Sequence, residues 1–327
     1  MNRTLKQIFI FLIINCILFF SVVLILIYWP IPTKKSIENF NYSSIDTTAT
    51  NSLSKAQEVW IKTRNTQKLF TRIYASNTKT AVILIHGSGT ESRYLAHLAN
   101  SLSSTNLATV ITPDLRGHGR NISTEVDIDY IGQLEYDIED IIHYAKENLG
   151  AEKVILAGHS SGGGLVLRYI GNTRLTNVDK AIMISPYLGH DSPTVKPNSG
   201  DWITVGVKRW VGISLLNPIG ITYFNEMPVL FFNRPRAYND SLQVESYSYK
   251  MAVNFAPKDF EDEVKQLSTN SLVIVGERDE SFYPNRFEKV FEPANSFVTV
   301  NLIPEAKHLD IVKNDEVLAE IKNWISN

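Results

Sequence analysis

The 327-residue sequence contains a single cysteine, Cys16, and this scarcity excludes several kinds of site. One cysteine cannot form an intramolecular disulfide, and it cannot supply a thiolate metal cluster. The His and carboxylate residues show no metal-ligand spacing, and the glycine-containing segment HGSGTES lacks the lysine of a nucleotide-binding P-loop. We therefore expect neither a metal nor a nucleotide cofactor.

An excess of positive charge is also missing. The chain has 32 Lys and Arg residues against 34 Asp and Glu residues, which gives a formal net charge of −2. Nucleic-acid binding depends on a basic surface, so we expect no nucleic-acid partner. The sequence shows no internal repeat and no low-complexity block, and its length suits one large domain or two smaller ones.

Charge is absent altogether from residues 8–29, IFIFLIINCILFFSVVLILIYW. At a rise of about 1.5 Å per residue, this run matches the ~30 Å hydrocarbon core of a bilayer. A cleaved signal peptide is the alternative, but its apolar region usually covers only about 7–15 residues and ends in small residues. Here Tyr28 and Trp29 end the run, as interfacial aromatics do. Residues 1–30 are therefore predicted to be an uncleaved membrane anchor that contacts the lipid bilayer.

The flanking charges give a slight preference for one orientation. Arg3, Lys6 and the N-terminal amine precede the run, whereas Lys34 and Lys35 follow it. The positive-inside rule then favours a cytoplasmic N-terminus and a single-pass protein whose remaining chain lies on the extracytoplasmic side. Residues 31–56 are rich in Ser, Thr and Asn, and they are predicted to be a linker that lifts the next domain off the membrane.

From residue 57 onward, apolar strand-like segments alternate with amphipathic helical ones. Each of the segments AVILIHG, ATVITPDLRG, VILAGH, KAIMISP and SLVIVGE contains a run of mainly apolar residues, which is typical of strands covered on both faces. The pattern predicts an α/β fold with a mostly parallel sheet and helices on both faces. Residues 57–186 and 256–327 form this predicted core.

Residues 187–255 interrupt the alternation. They contain many aromatic residues but no clear strand pattern, and so long an insertion favours a small helical cap over a bare loop. Trp210 and Phe231 are candidates for lining a cavity beneath this cap.

The segment VILAGHSSGGGL, residues 154–165, contains the clearest chemical motif. Gly158, His159, Ser160, Ser161 and Gly162 match G-x-S-x-G between a strand and a helix, where a tight turn exposes the serine hydroxyl. Ser160 is the candidate nucleophile because it stands centrally between the glycines. A serine needs a base to take its proton, and a third group to orient that base.

Other polar residues follow predicted strands in the appropriate order. The segment HGSG, with Ser88, ends the strand that begins at Ala81; Asp279 follows SLVIVGE and His308 follows VTVNLIP. Parallel strands gather their sites at their carboxyl ends, and the order serine, acid, histidine suits this architecture. Three carboxylates near Asp279 and His308 are alternatives for the acid: Glu277, Glu280 and Asp310.

The motifs HGSG, DLRGHG, GHSSGG, GERD and AKH together resemble those of the α/β-hydrolase superfamily. Within it, the chain is most similar to the monoacylglycerol lipase and lysophospholipase-like group, often labelled serine aminopeptidase-like. The resemblance covers residues 58–326. It implies Ser160 as nucleophile, Asp279 and His308 as the other triad members, and the backbone amides of Ser88 and Ser161 as the oxyanion hole.

We therefore expect a serine hydrolase that cleaves a small-molecule acyl substrate, such as a lipophilic ester or a monoacylglycerol-like lipid, through an acyl-enzyme. An aminopeptidase or amidase and a carbon–carbon bond hydrolase are alternatives, because the same triad serves all three. A non-catalytic binding protein on this fold is an alternative of another class, although every catalytic position is filled. Fold alone does not fix the substrate.

Overall fold

The computed structural model describes residues 3–33, 40, 42, 52–122, 127–238, 240–294 and 296–327. Most of the predicted linker, residues 34–39, 41 and 43–51, lies outside the described residues, so the linker boundaries stay a prediction. The division into core and cap at residues 186 and 256 likewise stays a prediction.

The described residues form strands and helices along the whole chain. The strands are β1 (Gln57–Lys62), β2 (Lys68–Tyr74), β3 (Thr80–Ile85), β4 (Thr109–Pro113), β5 (Lys153–His159), β6 (Lys180–Ile184), β7 (Ile203–Val205), β8 (Pro228–Phe232), β9 (Ser246–Ser248), β10 (Ser271–Gly276) and β11 (Val298–Ile303). The helices are α1 (Arg3–Ile27), α2 (Ala96–Ser104), α3 (Gln133–Asn148), α4 (Ser161–Ile170), α5 (Val207–Leu216), α6 (Tyr249–Asn254), α7 (Phe260–Lys265), α8 (Phe287–Phe291) and α9 (Asp315–Ser326).

Eight strands form the central sheet in the order β1-β2-β4-β3-β5-β6-β10-β11. The first two strands pair antiparallel as a hairpin, β2 is antiparallel to β4, and the remaining neighbours are parallel. Every residue of β10 is buried, as are all but the first of β3 and of β5, as expected for strands covered on both faces. Helix α2 packs beside α9, and α3 beside α4. The predicted mostly parallel sheet is confirmed.

Between β6 and β10 the chain builds the cap, which differs from the expected helical insertion. It contains a three-stranded antiparallel sheet, β7-β8-β9, together with α5 and α6. These strands are only three to five residues long. A run this short carries too few residues to show the alternation that marks a strand in sequence.

Helix α1 is the one helix among the described residues that is long and apolar enough to cross a membrane, with a mean hydropathy of 3.2 over its most apolar window. Most of its side chains are exposed, but Val23 and Ile27 are buried, and α1 packs against α5 of the cap. Arg209 Nε of α5 donates a hydrogen bond of 3.0 Å to the Ile27 carbonyl oxygen. The sequence predicted a linker that lifts the domain away, whereas the structure holds the last turns of α1 on the cap.

Candidate active site

Ser160 stands at the turn between β5 and α4. Its backbone has φ 55° and ψ −121°, which an L-residue adopts only under strain. The flanking glycines permit the close packing of this turn. A Cβ on Gly158 would lie 2.3 Å from the Gly162 carbonyl oxygen, and a Cβ on Gly162 would lie 2.5 Å from the His86 carbonyl oxygen. The sequence therefore forces the serine hydroxyl outward from a rigid elbow.

Three predicted residues meet in one hydrogen-bonded chain. Ser160 Oγ lies 3.0 Å from His308 Nε2, and His308 Nδ1 lies 2.8 Å from Asp279 Oδ2. Both His308 and Asp279 are buried. They reach Ser160 because β5, β10 and β11 end at the same edge of the sheet.

Asp279 is held in its ionised form. Its other oxygen, Oδ1, accepts hydrogen bonds from the backbone amides of Ser281 (2.8 Å) and Phe282 (2.9 Å). Burial alone would raise the pKa of Asp279, but the charge interaction and hydrogen bond with His308, together with the Phe282 amide, outweigh it and lower that pKa. A carboxylate in this state can accept a hydrogen bond from His308 Nδ1–H and fix the ring with Nε2 facing the serine.

The alternative carboxylates have other partners. Glu280 Oε2 accepts from the backbone amide of His308 at 2.8 Å, and burial raises the pKa of this group. Asp310 Oδ1 accepts from the backbone amide of Lys307 at 2.9 Å. Glu277 makes no side-chain hydrogen bond within the described part of the chain. The geometry therefore favours Asp279 as the partner of the histidine ring.

The two predicted oxyanion donors border the same space as Ser160. Ser161 is the first residue of α4, where backbone amides lack helical acceptors. Ser88 lies in the loop after β3, between two glycines whose amides are bonded to tyrosine hydroxyls. Within the described ranges, neither the Ser88 nor the Ser161 amide has an acceptor.

Three further histidines near the site are hydrogen-bonded at both ring nitrogens: His86, His118 and His159. Burial lowers their pKa values, to about 4 for His86 and about 3 for His118 and His159. The three imidazoles are therefore neutral at physiological pH.

A cavity of about 480 Å³ opens from Ser160 beneath the cap. Much of its lining is apolar and includes Val205, Val207, Trp210, Val211 and Leu230. Trp210 therefore lies where the sequence placed it. Phe231 is not among the lining residues, because its strand neighbour Leu230 takes the face that turns to the cavity.

Sequence reasoning missed two aromatic residues of the predicted linker. Phe40 and Tyr42 are both buried, although their neighbours in sequence are polar. The Phe40 ring lies 5.4 Å from the Trp202 ring and 6.4 Å from the His308 ring, and Tyr42 stacks on Trp202 at 5.7 Å. The only sign of their burial in the sequence is the pair of aromatic residues, F-x-Y, within a polar stretch. Two positions are too few to show a helical or strand periodicity.

Comparisons with known proteins agree with this architecture. A monoacylglycerol lipase from Paleococcus ferrophilus is 23% identical, with a TM-score of 0.57 over 79% of this chain and 98% of that chain. A membrane phospholipase A described as a bacterial virulence factor is 17% identical, with a TM-score of 0.58 over 100% of both chains. At these identities the likeness shows the fold.

Sequence relatives give the family. A bifunctional esterase/perhydrolase from Acinetobacter calcoaceticus is 38% identical over 82 residues, which is 23% of this chain and only 26% of that protein. The family described as Serine aminopeptidase, S33 matches residues 76–315, which include the elbow, the late aspartate and the late histidine. The chain therefore belongs to the S33 serine aminopeptidase family of the α/β-hydrolase superfamily.

Proposed function

We propose that this hydrolase cleaves carboxylic esters with lipophilic acyl groups, using Ser160, His308 and Asp279 as a catalytic triad. The observation that carries the proposal is the continuous hydrogen-bonded chain from Asp279 through His308 to Ser160, which ends at an apolar cavity. The esterase and lipase names of its relatives support the reaction class.

The reaction proceeds in two halves. His308 Nε2 takes the Ser160 hydroxyl proton while Oγ attacks the ester carbonyl carbon, and the amides of Ser88 and Ser161 donate to the oxyanion. His308 then gives that proton to the departing alkoxide, leaving an acyl-enzyme. A water molecule then attacks the acyl carbonyl carbon while His308 Nε2 takes a proton from it. His308 returns that proton to Ser160 Oγ as the bond between Oγ and the acyl carbon breaks, and the carboxylic acid leaves. No metal and no cofactor takes part in this proposal.

The lining of the cavity weighs against a free-amine substrate. An aminopeptidase needs a negative group to bind the substrate ammonium, yet the described residues around the cavity include no Asp or Glu. The ionisable side chains there include Lys196, His190 and His308. An amidase or a carbon–carbon bond hydrolase on the same triad stays an alternative.

The outer face of the cap supports a lipid source for the substrate. Val207, Val211 and Leu215 form an exposed stripe on α5, next to the end of α1. Val207 and Val211 also line the cavity, so its apolar end reaches this surface. We propose that α1 spans a bilayer, that the catalytic domain lies on its extracytoplasmic side, and that the α5 stripe contacts the membrane.

A panel of p-nitrophenyl esters tests the acyl preference. Each added buried CH₂ is expected to contribute about 0.8 kcal/mol until the cavity is full, which raises kcat/KM roughly threefold to fourfold per methylene. Trp210→Ala should flatten this slope. Phe231→Ala is the matched control. Phe231 is also aromatic, but it follows the lining residue Leu230 on β8 and does not line the cavity itself, so this variant should keep the slope.

Three outcomes would overturn the proposal. A wild-type kcat/KM that is flat or falling from acetate to octanoate would exclude the lipophilic acyl preference. Faster turnover of aminoacyl p-nitroanilides than of any ester would favour the aminopeptidase alternative. A protein that turns over none of these substrates and does not react with a fluorophosphonate would be a binding protein.

A further inference from the structure

The loop that carries the Ser88 amide is held by two tyrosine hydroxyls, one on each side. The Gly87 amide donates to the Tyr94 hydroxyl at 2.8 Å, and the Gly89 amide donates to the Tyr247 hydroxyl at 2.7 Å. Tyr94 precedes α2 in the core, whereas Tyr247 lies on β9 in the cap. The amide between these two fixed points is that of Ser88.

Each tyrosine hydroxyl donates a hydrogen bond to a buried histidine. His159 Nε2 lies 2.9 Å from the His308 carbonyl oxygen, which can only accept, so Nε2 carries the proton and Nδ1 accepts from the Tyr94 hydroxyl at 2.9 Å. On the other side, His118 Nδ1 donates to the Arg116 carbonyl oxygen at 2.9 Å, so its Nε2 accepts from Tyr247. Each tyrosine hydroxyl therefore accepts a hydrogen bond from a glycine amide of the loop and donates one to a histidine nitrogen.

The direction of these bonds depends on neutral histidines. Burial is the largest cause that lowers the pKa of His118 and of His159 to about 3, so both rings keep one acceptor nitrogen at neutral pH. An uncharged tyrosine is equally required, and burial raises the pKa of both Tyr94 and Tyr247. Every donor and acceptor in these two series of hydrogen bonds therefore has a partner when both histidines and both tyrosines are neutral.

We infer that Tyr94 and Tyr247 are positioning residues that fix the Ser88 amide for the developing oxyanion. This inference rests on the proposed function, since an oxyanion forms only if Ser160 attacks a carbonyl group. It assigns a role to a cap residue in the chemistry: through Tyr247 the cap holds one side of the oxyanion loop. Through Tyr94 and His159, the other side is joined to the segment that carries His308.

The variants Tyr94→Phe and Tyr247→Phe test it, because each removes one hydroxyl and keeps the ring. Deleting an oxyanion donor outright costs about 10²–10³ in kcat, and loosening one should cost less, about tenfold. We expect that loss in kcat with KM changed less than twofold. Affinity for an alkyl boronic acid, which forms a tetrahedral adduct on Ser160, should fall by the same factor as kcat/KM.

Two matched controls exist in the chain. The Tyr169 hydroxyl donates to the Thr176 carbonyl oxygen in the core, and the Tyr249 hydroxyl bonds to Ser214 Oγ in the cap. Tyr169→Phe and Tyr249→Phe remove a hydroxyl of the same kind away from the loop, and both should keep wild-type kcat and boronate affinity. Titration of Ser160 with a fluorophosphonate counts the folded sites, so a fraction lost to unfolding does not enter kcat.

The inference is overturned if Tyr94→Phe and Tyr247→Phe behave like the controls, or if kcat falls while boronate affinity is retained. These outcomes differ from a failure of the proposed function. In that case the wild-type protein itself would neither hydrolyse esters nor react with the fluorophosphonate.

Discussion

Ile27, in the last turn of α1, lies directly against Gly212 of the cap helix α5. A Cβ built on Gly212 would be 2.8 Å from Ile27 Cγ1 and 3.1 Å from the Ile27 backbone nitrogen. The absence of a side chain at this position therefore sets how closely the apolar N-terminal helix approaches the catalytic domain.

Gly212→Ala should push the two helices apart. Overpacking of this kind typically costs about 1–3 kcal/mol, so the thermal midpoint should fall while turnover of a soluble acetate ester persists. Ile27→Ala removes Cγ1, the atom nearest to the new methyl group. The double variant should accordingly be less destabilised than the sum of the two single variants, and additive effects would show that the contact is not made.

Ser160→Ala should keep the fold and reduce kcat by about 10⁴–10⁶-fold, because it removes the hydroxyl that is hydrogen-bonded to His308 Nε2. Asp279→Asn should cost somewhat less, since His308 keeps its place but prefers the wrong tautomer. Glu280→Gln is the control, because Glu280 binds the His308 backbone amide and not its ring. Equal losses in the Asp279 and Glu280 variants would remove Asp279 from the proposed triad.

Phe40→Ala should lower kcat for a small acetate ester by about tenfold, because the His308 ring loses a neighbour that helps to fix it. Tyr42→Phe is a useful comparison. The Tyr42 hydroxyl is buried without a hydrogen-bond partner among the described residues, and burial raises its pKa to about 12. Removing it should leave kcat unchanged and keep or raise the thermal midpoint. Unchanged kcat in Phe40→Ala would reduce this aromatic pair to simple packing.

Stability should fall steeply on acidification below pH 6.5. The buried His86, His118 and His159 have folded-state pKa values lowered to about 4, 3 and 3, so only the unfolded chain takes up these protons at first. Their contribution to the free energy of unfolding is complete above pH 6.5, the pKa of histidine in the unfolded chain. It is lost progressively as the pH falls toward the pKa values of the folded protein. Each extra proton contributes a slope of about 1.4 kcal/mol per pH unit.

The thermal midpoint measured between pH 7 and pH 4.5 checks this. His118→Gln should make the stability less dependent on pH, by an amount that corresponds to about one proton taken up on unfolding. The exposed His190, whose side chain is 85% accessible, supplies the control His190→Gln, which should leave the slope unchanged. A wild-type midpoint that is flat across this range would contradict the neutral state of the three rings.

The sequence predicts the central sheet and the residues that follow its strands, because both signals are local. Ser160, Asp279 and His308 each come just after an apolar run, and parallel strands bring those positions to one edge. Tyr94 has the right periodicity for a core residue, so its hydroxyl contact with a glycine amide leaves no trace in the sequence. The contact of Phe40 with His308 joins residues far apart in the chain, and only tertiary packing reveals it.

The hydrogen bond from Arg209 to the Ile27 carbonyl oxygen ties the cap to the end of α1. If α1 spans a bilayer, as proposed, the cavity takes its substrate from the membrane surface. The rate then does not depend on the amount of substrate per volume of solution. The concentration that governs its rate is then a number of substrate molecules per lipid. Adding inert lipid at constant total substrate should slow such an enzyme, whereas diluting the whole vesicle suspension should leave the turnover per enzyme unchanged.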